Sequence, residues 1–252
     1  MIDDRARYRR LRAYNLIMGL LHAAQGVAVL LLSNDFSLPV TATFMEGPPG
    51  TVASLRELFT LPLGPAVASF LFLSAAAHFV IASPGVFGWY RANLGRNRND
   101  ARWIEYSLSA SLMIVLIAMI TGISDVAALI ALFGVNASMI LFGWLMEKYE
   151  QPGRPNWLSY WFGVLTGAVP WIAIGIYLWA PGVSAEPPAF VYGIFVSLFV
   201  FFNSFALNMV LQYRRIGPWR NYAFGESIYV LLSLVAKSAL AWQVFANTLV
   251  PT

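Results

Sequence analysis

Two ionisable residues lie where apolar neighbours leave them little water. Lys237 sits inside Leu231-Leu232-Ser233-Leu234-Val235-Ala236-Lys237-Ser238-Ala239-Leu240, near the middle of the last long apolar run. An ammonium at the centre of a bilayer costs about 2.5–3.5 kcal/mol to insert, and from that depth a lysine does not readily reach an interface. One use of such a residue is a structural ion pair or a lysine facing a water cavity. The other is covalent: a lysine stripped of water is a nucleophile toward aldehydes and forms a Schiff base. A membrane-soluble aldehyde suited to it is retinal. A protonated imine in a low dielectric needs a nearby anion. The carboxylate best placed for it is Glu105, in Arg102-Trp103-Ile104-Glu105-Tyr106-Ser107. Its competing role is an interfacial partner for Arg102 or Arg98.

The elements that must position these groups are membrane spans. The chain has 252 residues, 59% hydrophobic and 11% charged. A soluble domain is about 25% charged, so this composition calls for lipid as solvent. A helical span needs about 20 mostly apolar residues, and seven stretches qualify: 13–33, 62–83, 101–121, 126–147, 157–180, 188–212 and 222–249. Breakers separate them at Ser83-Pro84-Gly85, Gln151-Pro152-Gly153, Pro181-Gly182, Pro187-Pro188 and Gly217-Pro218. Backbone groups in lipid must bond within their own segment, which requires helices. The expectation is therefore an all-α membrane protein, with residues 1–252 forming a single seven-helix domain in the cell membrane. No internal repeat or second domain is visible. The long connection at 34–61 contains the β-prone stretch 38–44, which suggests a hairpin.

Basic residues set the expected orientation. The N-terminal arm (Arg5, Arg7, Arg9, Arg10, Arg12), the connection after the second span (Arg91, Arg96, Arg98, with Arg102 at its edge), Lys148 and Arg154, and Arg214, Arg215 and Arg220 place fourteen on one face. The other face holds Arg56. This asymmetry predicts a cytoplasmic N-terminus and an extracellular C-terminus, with the hairpin outside. The positive balance thus reports topology and not nucleic-acid binding. There is no cysteine and there are only two histidines, so a metal site is not expected, and neither a nucleophile–base pair nor a cofactor fingerprint suggests an enzyme.

Polar residues inside the spans fill out the candidate site. Helical periodicity puts Ser109, Leu112 and Leu116 on the face of Glu105, and Ser233 one turn before Lys237. Ser233 faces two fates, a bond in the imine region or one to its own i−4 carbonyl. Glu226 shares the Lys237 face three turns away, where an interfacial role is expected. His22 (with Gln25) and His78 (with Ser74) fall in the same half of the membrane and read either as packing residues or as a proton-holding polar pocket. Leu116 occupies the position where a proton pump of the familiar microbial kind carries a second carboxylate. A sensor is therefore expected ahead of a light-driven proton or ion transporter. A retinal-free transporter gated by Lys237 and Glu105 is the rival from another class, although broken helices in paired positions are not evident.

The segments Asn15-Leu16-Ile17-Met18-Gly19-Leu20-Leu21-His22, Ser33-Asn34-Asp35-Phe36-Ser37-Leu38-Pro39-Val40 and Trp103-Ile104-Glu105-Tyr106-Ser107, with the lysine-bearing seventh span, resemble the heliorhodopsins. That resemblance implies a rhodopsin-like bundle with inverted orientation, and all-trans retinal as a Schiff base on Lys237 with Glu105 as counterion. It also implies a polar cluster of His22, His78, Ser74, Ser109 and Ser233, and pocket contributions from Asn136, Met139 and Phe202. Further implications are a homodimer, a slow photocycle without ion pumping, and light sensing through an unidentified cytoplasmic partner.

Overall fold

The structure, a computed structural model, describes residues 2–179 and 186–250. Among these residues eight α-helices and one hairpin follow in the order α1 (Ile2–Leu32), β1 (Ser37–Phe44), β2 (Ser54–Pro62), α2 (Leu63–Ala82), α3 (Pro84–Gly95), α4 (Asp100–Ile120), α5 (Val126–Tyr149), α6 (Leu158–Trp179), α7 (Ala189–Tyr213) and α8 (Tyr222–Val244). Seven are long and apolar enough to cross a membrane, α3 being the exception. Each expected span has its helix. The expected break at Pro181-Gly182 lies outside the described residues.

Helix starts follow local chemistry. Asn99 Oδ1 accepts the Arg102 backbone N–H at 3.2 Å, and Asp125 Oδ1 accepts those of Ala127 and Ala128 at 3.0 and 3.1 Å. These caps satisfy donors that a helix leaves open at its first turn. Two local features were not evident from the sequence. α1 begins at Ile2, before the apolar run, and the connection after α2 folds as α3. Pro84 stands at the first position of α3, where its missing N–H costs nothing. Tyr90 and Leu94 then bury against Ile81. Burial pushes the Tyr90 phenol up to about 12, so it stays neutral at physiological pH.

The stretch 38–44 forms one strand of the expected hairpin. β1 and β2 pair antiparallel with a bulge between Val40 and Thr41. The bulge turns Thr41 toward the α4–α5 connection: its N–H donates to Ser124 O at 2.9 Å, and the two hydroxyls lie 2.9 Å apart. Asn34, just before β1, donates its backbone N–H to Leu249 O at 2.9 Å and its side chain to Thr248 O at 3.1 Å. The hairpin therefore fastens the ends of several helices on one side of the bundle.

α1 packs along α2, α5 lies between α4 and α6, and α7 packs on α8, with α2 against α4. The main apolar core fills the hairpin half, around Phe70, Leu71, Ile114, Ile117, Ile174, Leu198 and Leu240. Without a hydrophobic force between helices in lipid, close approach depends on small residues. Gly19 and Gly26, two turns apart on α1, meet Phe79 and Phe72 of α2 so closely that an added Cβ would lie 2.9 and 2.8 Å from their rings.

Gly26→Leu should therefore destabilise the protein by roughly 1–3 kcal/mol through overpacking, read as a lower thermal midpoint in detergent. Gly193→Ala, where an added Cβ meets nothing within 4 Å, should leave the midpoint unchanged.

Candidate functional site

α4 and α8 bring the two sequence-selected charges together. Lys237 Nζ donates to Glu105 Oε1 at 2.9 Å and to Ser233 Oγ at 2.9 Å. Both side chains are nearly sealed, at 4% and 10% exposure. Such a pair is held only if its remaining hydrogen-bonding capacity is met, and its neighbours do this. Ser74 Oγ, from α2, donates to the same Glu105 oxygen at 2.6 Å. The Tyr106 ring lies 5.1 Å from the ammonium. Of the two fates open to Ser233, its oxygen takes the contact with the lysine.

Beyond Glu105 lies a polar pocket of α1 and α2 residues. His22 and His78 stack with ring centroids 5.7 Å apart and planes 15° apart. His78 Nδ1 meets Asn15 Oδ1 at 2.8 Å, whereas both His22 nitrogens are buried without a hydrogen-bond partner among the described residues. Ser109 is also fully buried, with its hydroxyl beside the Glu105 carboxylate.

On the other side of Lys237 a cavity of about 360 Å³ opens between α4, α5, α6, α7 and α8. Its walls are mostly apolar and aromatic: Trp103, Tyr106 and Met113 from α4, Met139 from α5, Trp171 from α6, and Phe202 from α7. Lys237 and Ser233 supply polar atoms to the wall. Phe195, Phe199 and Phe202 each meet Trp171 edge-on at 5.4 Å, which holds the indole against the slot. Gly167 and Gly143 make room where an added Cβ would lie 2.5 Å from Met139 Sδ and from the Trp103 ring. Of the three pocket residues suggested from the sequence, Met139 and Phe202 line the cavity. Asn136 does not: its amide donates to Ser111 Oγ at 3.1 Å, within the packing of α4 and α5.

A second buried charge cluster, not evident from residue order, lies one turn from Glu105. Arg102, counted with the surface cations, is 6% exposed, and Glu226, expected at the interface, is 1% exposed. The Arg102 guanidinium bonds Glu147 Oε1 at 2.6 Å and Glu226 Oε1. It lies 3.9 Å from the Tyr229 ring centroid and 4.5 Å from that of Trp103. Glu147 also accepts from Trp103 Nε1 at 2.5 Å, Tyr222 OH at 2.8 Å and Asn99 N at 2.8 Å. Asn99 Nδ2 reaches Glu226 Oε2 at 2.7 Å. The available signal was that Arg102 and Glu226 near the starts of α4 and α8, and Glu147 near the end of α5, fall on the same side of the bundle. Among the described residues no group of three or more His, Cys, Asp and Glu is placed to hold a metal.

Comparison with known proteins gives one family. The family model described as Heliorhodopsin matches residues 11–249, nearly the whole chain. No curated protein matches it.

Arg102→Leu leaves two carboxylates buried without their cation. It should cost about 3–5 kcal/mol, seen as a marked fall in thermal midpoint or loss of folded protein. Removing the exposed partner of Glu46 with Arg56→Ala, where both side chains are more than half exposed, should cost no more than about 1 kcal/mol.

Proposed function

The chain belongs to the heliorhodopsin family, a family of retinal-binding, light-sensing membrane rhodopsins, and on that premise we propose that Lys237 carries retinal as a protonated Schiff base, with Glu105 as counterion, in a photosensor that does not pump ions. The observation that carries this reading is the amine at the wall of an apolar, aromatic slot, 2.9 Å from a buried carboxylate. A cavity of about 360 Å³ lies within the ~300–1,000 Å³ of small-molecule sites, and its lining suits a long polyene. Condensation of the Lys237 amine with an aldehyde releases one water and leaves the nitrogen in place beside Glu105.

Bound there, all-trans retinal supplies visible absorption and a light-driven isomerisation. The protein's residues do the rest. Trp103, Met139, Trp171 and Phe202 confine the slot and exclude water. Glu105 holds the positive charge on the Lys237 nitrogen, assisted by Ser74 and Ser233, and a displacement of that nitrogen weakens the 2.9 Å contact. Ser109, His22 and His78 lie on the far side of Glu105 and offer a local resting place for a proton. A change of charge at one buried pair can then bias helix positions, which is the form a signal takes in such a bundle.

Sensing is favoured over transport by what lies between this site and the hairpin. Leu116 is 3% exposed, and the core around Ile114, Ile117, Leu198 and Leu240 is fully buried. A proton leaving Glu105 in that direction meets apolar packing and no carboxylate on α4. The basic face supports a cytoplasmic N-terminus and a hairpin outside, under the positive-inside rule. A homodimer, a slow photocycle and a cytoplasmic signalling partner belong to the same proposal.

Protein supplied with all-trans retinal should gain a visible absorbance band that Lys237→Ala abolishes; a colourless wild type would refute the reading. Glu105→Gln removes the charge that stabilises the ground-state cation. It should move the band to longer wavelength or deprotonate the imine, and a spectrum unchanged at every pH would remove Glu105 from its role. Illuminated cells in unbuffered medium should show no sustained pH change sensitive to a protonophore.

A further inference from the structure

A second cavity, of about 450 Å³, opens at the end of the bundle opposite the hairpin. Its floor is polar and buried, formed by Glu147 and Gln212 at 5% and 3% exposure, with Tyr222 beside them. Its rim carries five cations: Arg96 and Arg98 from the α3–α4 connection, Lys148 from the end of α5, and Arg215 and Arg220 after α7. The four ion pairs among the described residues include none of the five. Arg98 and Arg220 donate to the carbonyls of Lys148 and Arg215, and Lys148 lies 5.6 Å from the Tyr149 ring. Of the two carboxylates on the cavity wall, Glu147 is engaged by Arg102, and Glu150 accepts the Asn156 backbone N–H at 2.6 Å.

Membrane topology accounts for cations on this face but not for their convergence on one concavity. Helix ends turn two of the lining residues inward. Asn97 and Arg215, with φ of 56° and 55°, are the non-glycine residues in the left-handed region among those described, and both line this cavity. Asparagine tolerates that conformation, but arginine adopts it at a cost. Here both close a helix: the N–H groups of Asn97 and Arg98 return to Leu94 O and Asn93 O at the end of α3, and those of Arg215 and Ile216 to Gln212 O and Leu211 O at the end of α7, so the caps themselves set the two residues at the cavity mouth.

We propose that this cavity binds the phosphate group of a small water-soluble solute. Unpaired guanidinium groups matched to a phosphate's oxygens supply the charge-assisted bonds that such a group needs. The cavity lies among the ends of α5, α7 and α8 at the basic face, and we take a soluble anion as its occupant ahead of a lipid headgroup, a choice the disc composition tests. The site does not involve Lys237. It does share Glu147 with the Arg102 cluster, and Glu147 bonds Trp103 of the apolar slot.

The test is calorimetric titration of pyrophosphate into the full-length protein in phosphatidylcholine nanodiscs at low salt. Saturable binding of one pyrophosphate per chain is expected, weakened about ten-fold or more in Arg96→Gln/Arg215→Gln. The exposed pair Arg9→Gln/Arg10→Gln removes equal charge from the same end of the bundle and should weaken it far less. No saturable heat, or equal losses in both variants, overturns the proposal. Repeating the titration with anionic phosphatidylglycerol in the disc separates the sources. Retained affinity supports a soluble occupant, and lost affinity overturns that assignment in favour of a headgroup phosphate.

Discussion

A lysine ammonium and a glutamate carboxylate held in contact inside a bilayer constrain nearly everything else in this molecule. Neither charge is tolerable alone at that depth. Their contact fixes the register of α8 against α4, because each turn of helix moves a side chain by about 5.4 Å and the pair spans 2.9 Å. The hydroxyls of Ser74 and Ser233 then close the remaining hydrogen-bonding capacity from α2 and α8. The helices beyond divide the surroundings in two: aromatic side chains from α4, α6 and α7 on one side, and the imidazoles and asparagine of α1 and α2 on the other. An amine between an apolar slot and a polar pocket can meet a greasy reactant on one side and exchange a proton on the other.

The Arg102 cluster solves a different problem by similar means. A guanidinium between two carboxylates leaves an excess of negative charge, which is offset by donors from Trp103, Tyr222 and Asn99, while the aromatic faces of Tyr229 and Trp103 hold the guanidinium itself. Those donors come from α4, from α8 and from the residue capping α4. The cluster therefore binds three helices together at the end where loops are long and charged. Trp103 belongs to both neighbourhoods, since its ring lines the slot while its N–H bonds Glu147. A change in slot shape and a change in the charge cluster are consequently not independent.

What could be read from residue order was set by local rules. Seven apolar runs of sufficient length, the breakers between them and the β-prone stretch before Phe44 each report on their own segment. The helices followed within a few residues except at the start of α1, and the hairpin formed from that stretch. Lys237 and Glu105 could be paired because each was anomalous in its own span and because helix direction put them at similar depth. Arg102 and Glu226 could not, because a charge near a span's end looks the same whether it faces water or a buried partner. The difference is decided by Glu147, on another helix. α3 escaped notice because twelve residues with Pro, Gly and Arg resemble a loop until Tyr90 and Leu94 find a surface to bury against. Asn136 illustrates the converse, since its carbon–nitrogen skeleton is turned by Ser111 rather than by the slot.

The fastening of the hairpin to the α4–α5 connection has a mechanical meaning. With Thr41 bonded to Ser124 just past the end of α4, that end acts as a fulcrum, and the helix from Ile120 back to Arg102 is a lever roughly 27 Å long. Leverage makes travel proportional to distance from the pivot. A tilt of about 5° would barely disturb the hairpin yet sweep the far tip by roughly 2 Å. Glu105 lies roughly 22 Å from the fulcrum, most of the way along that arm, so a displacement there reaches the charged end undiminished.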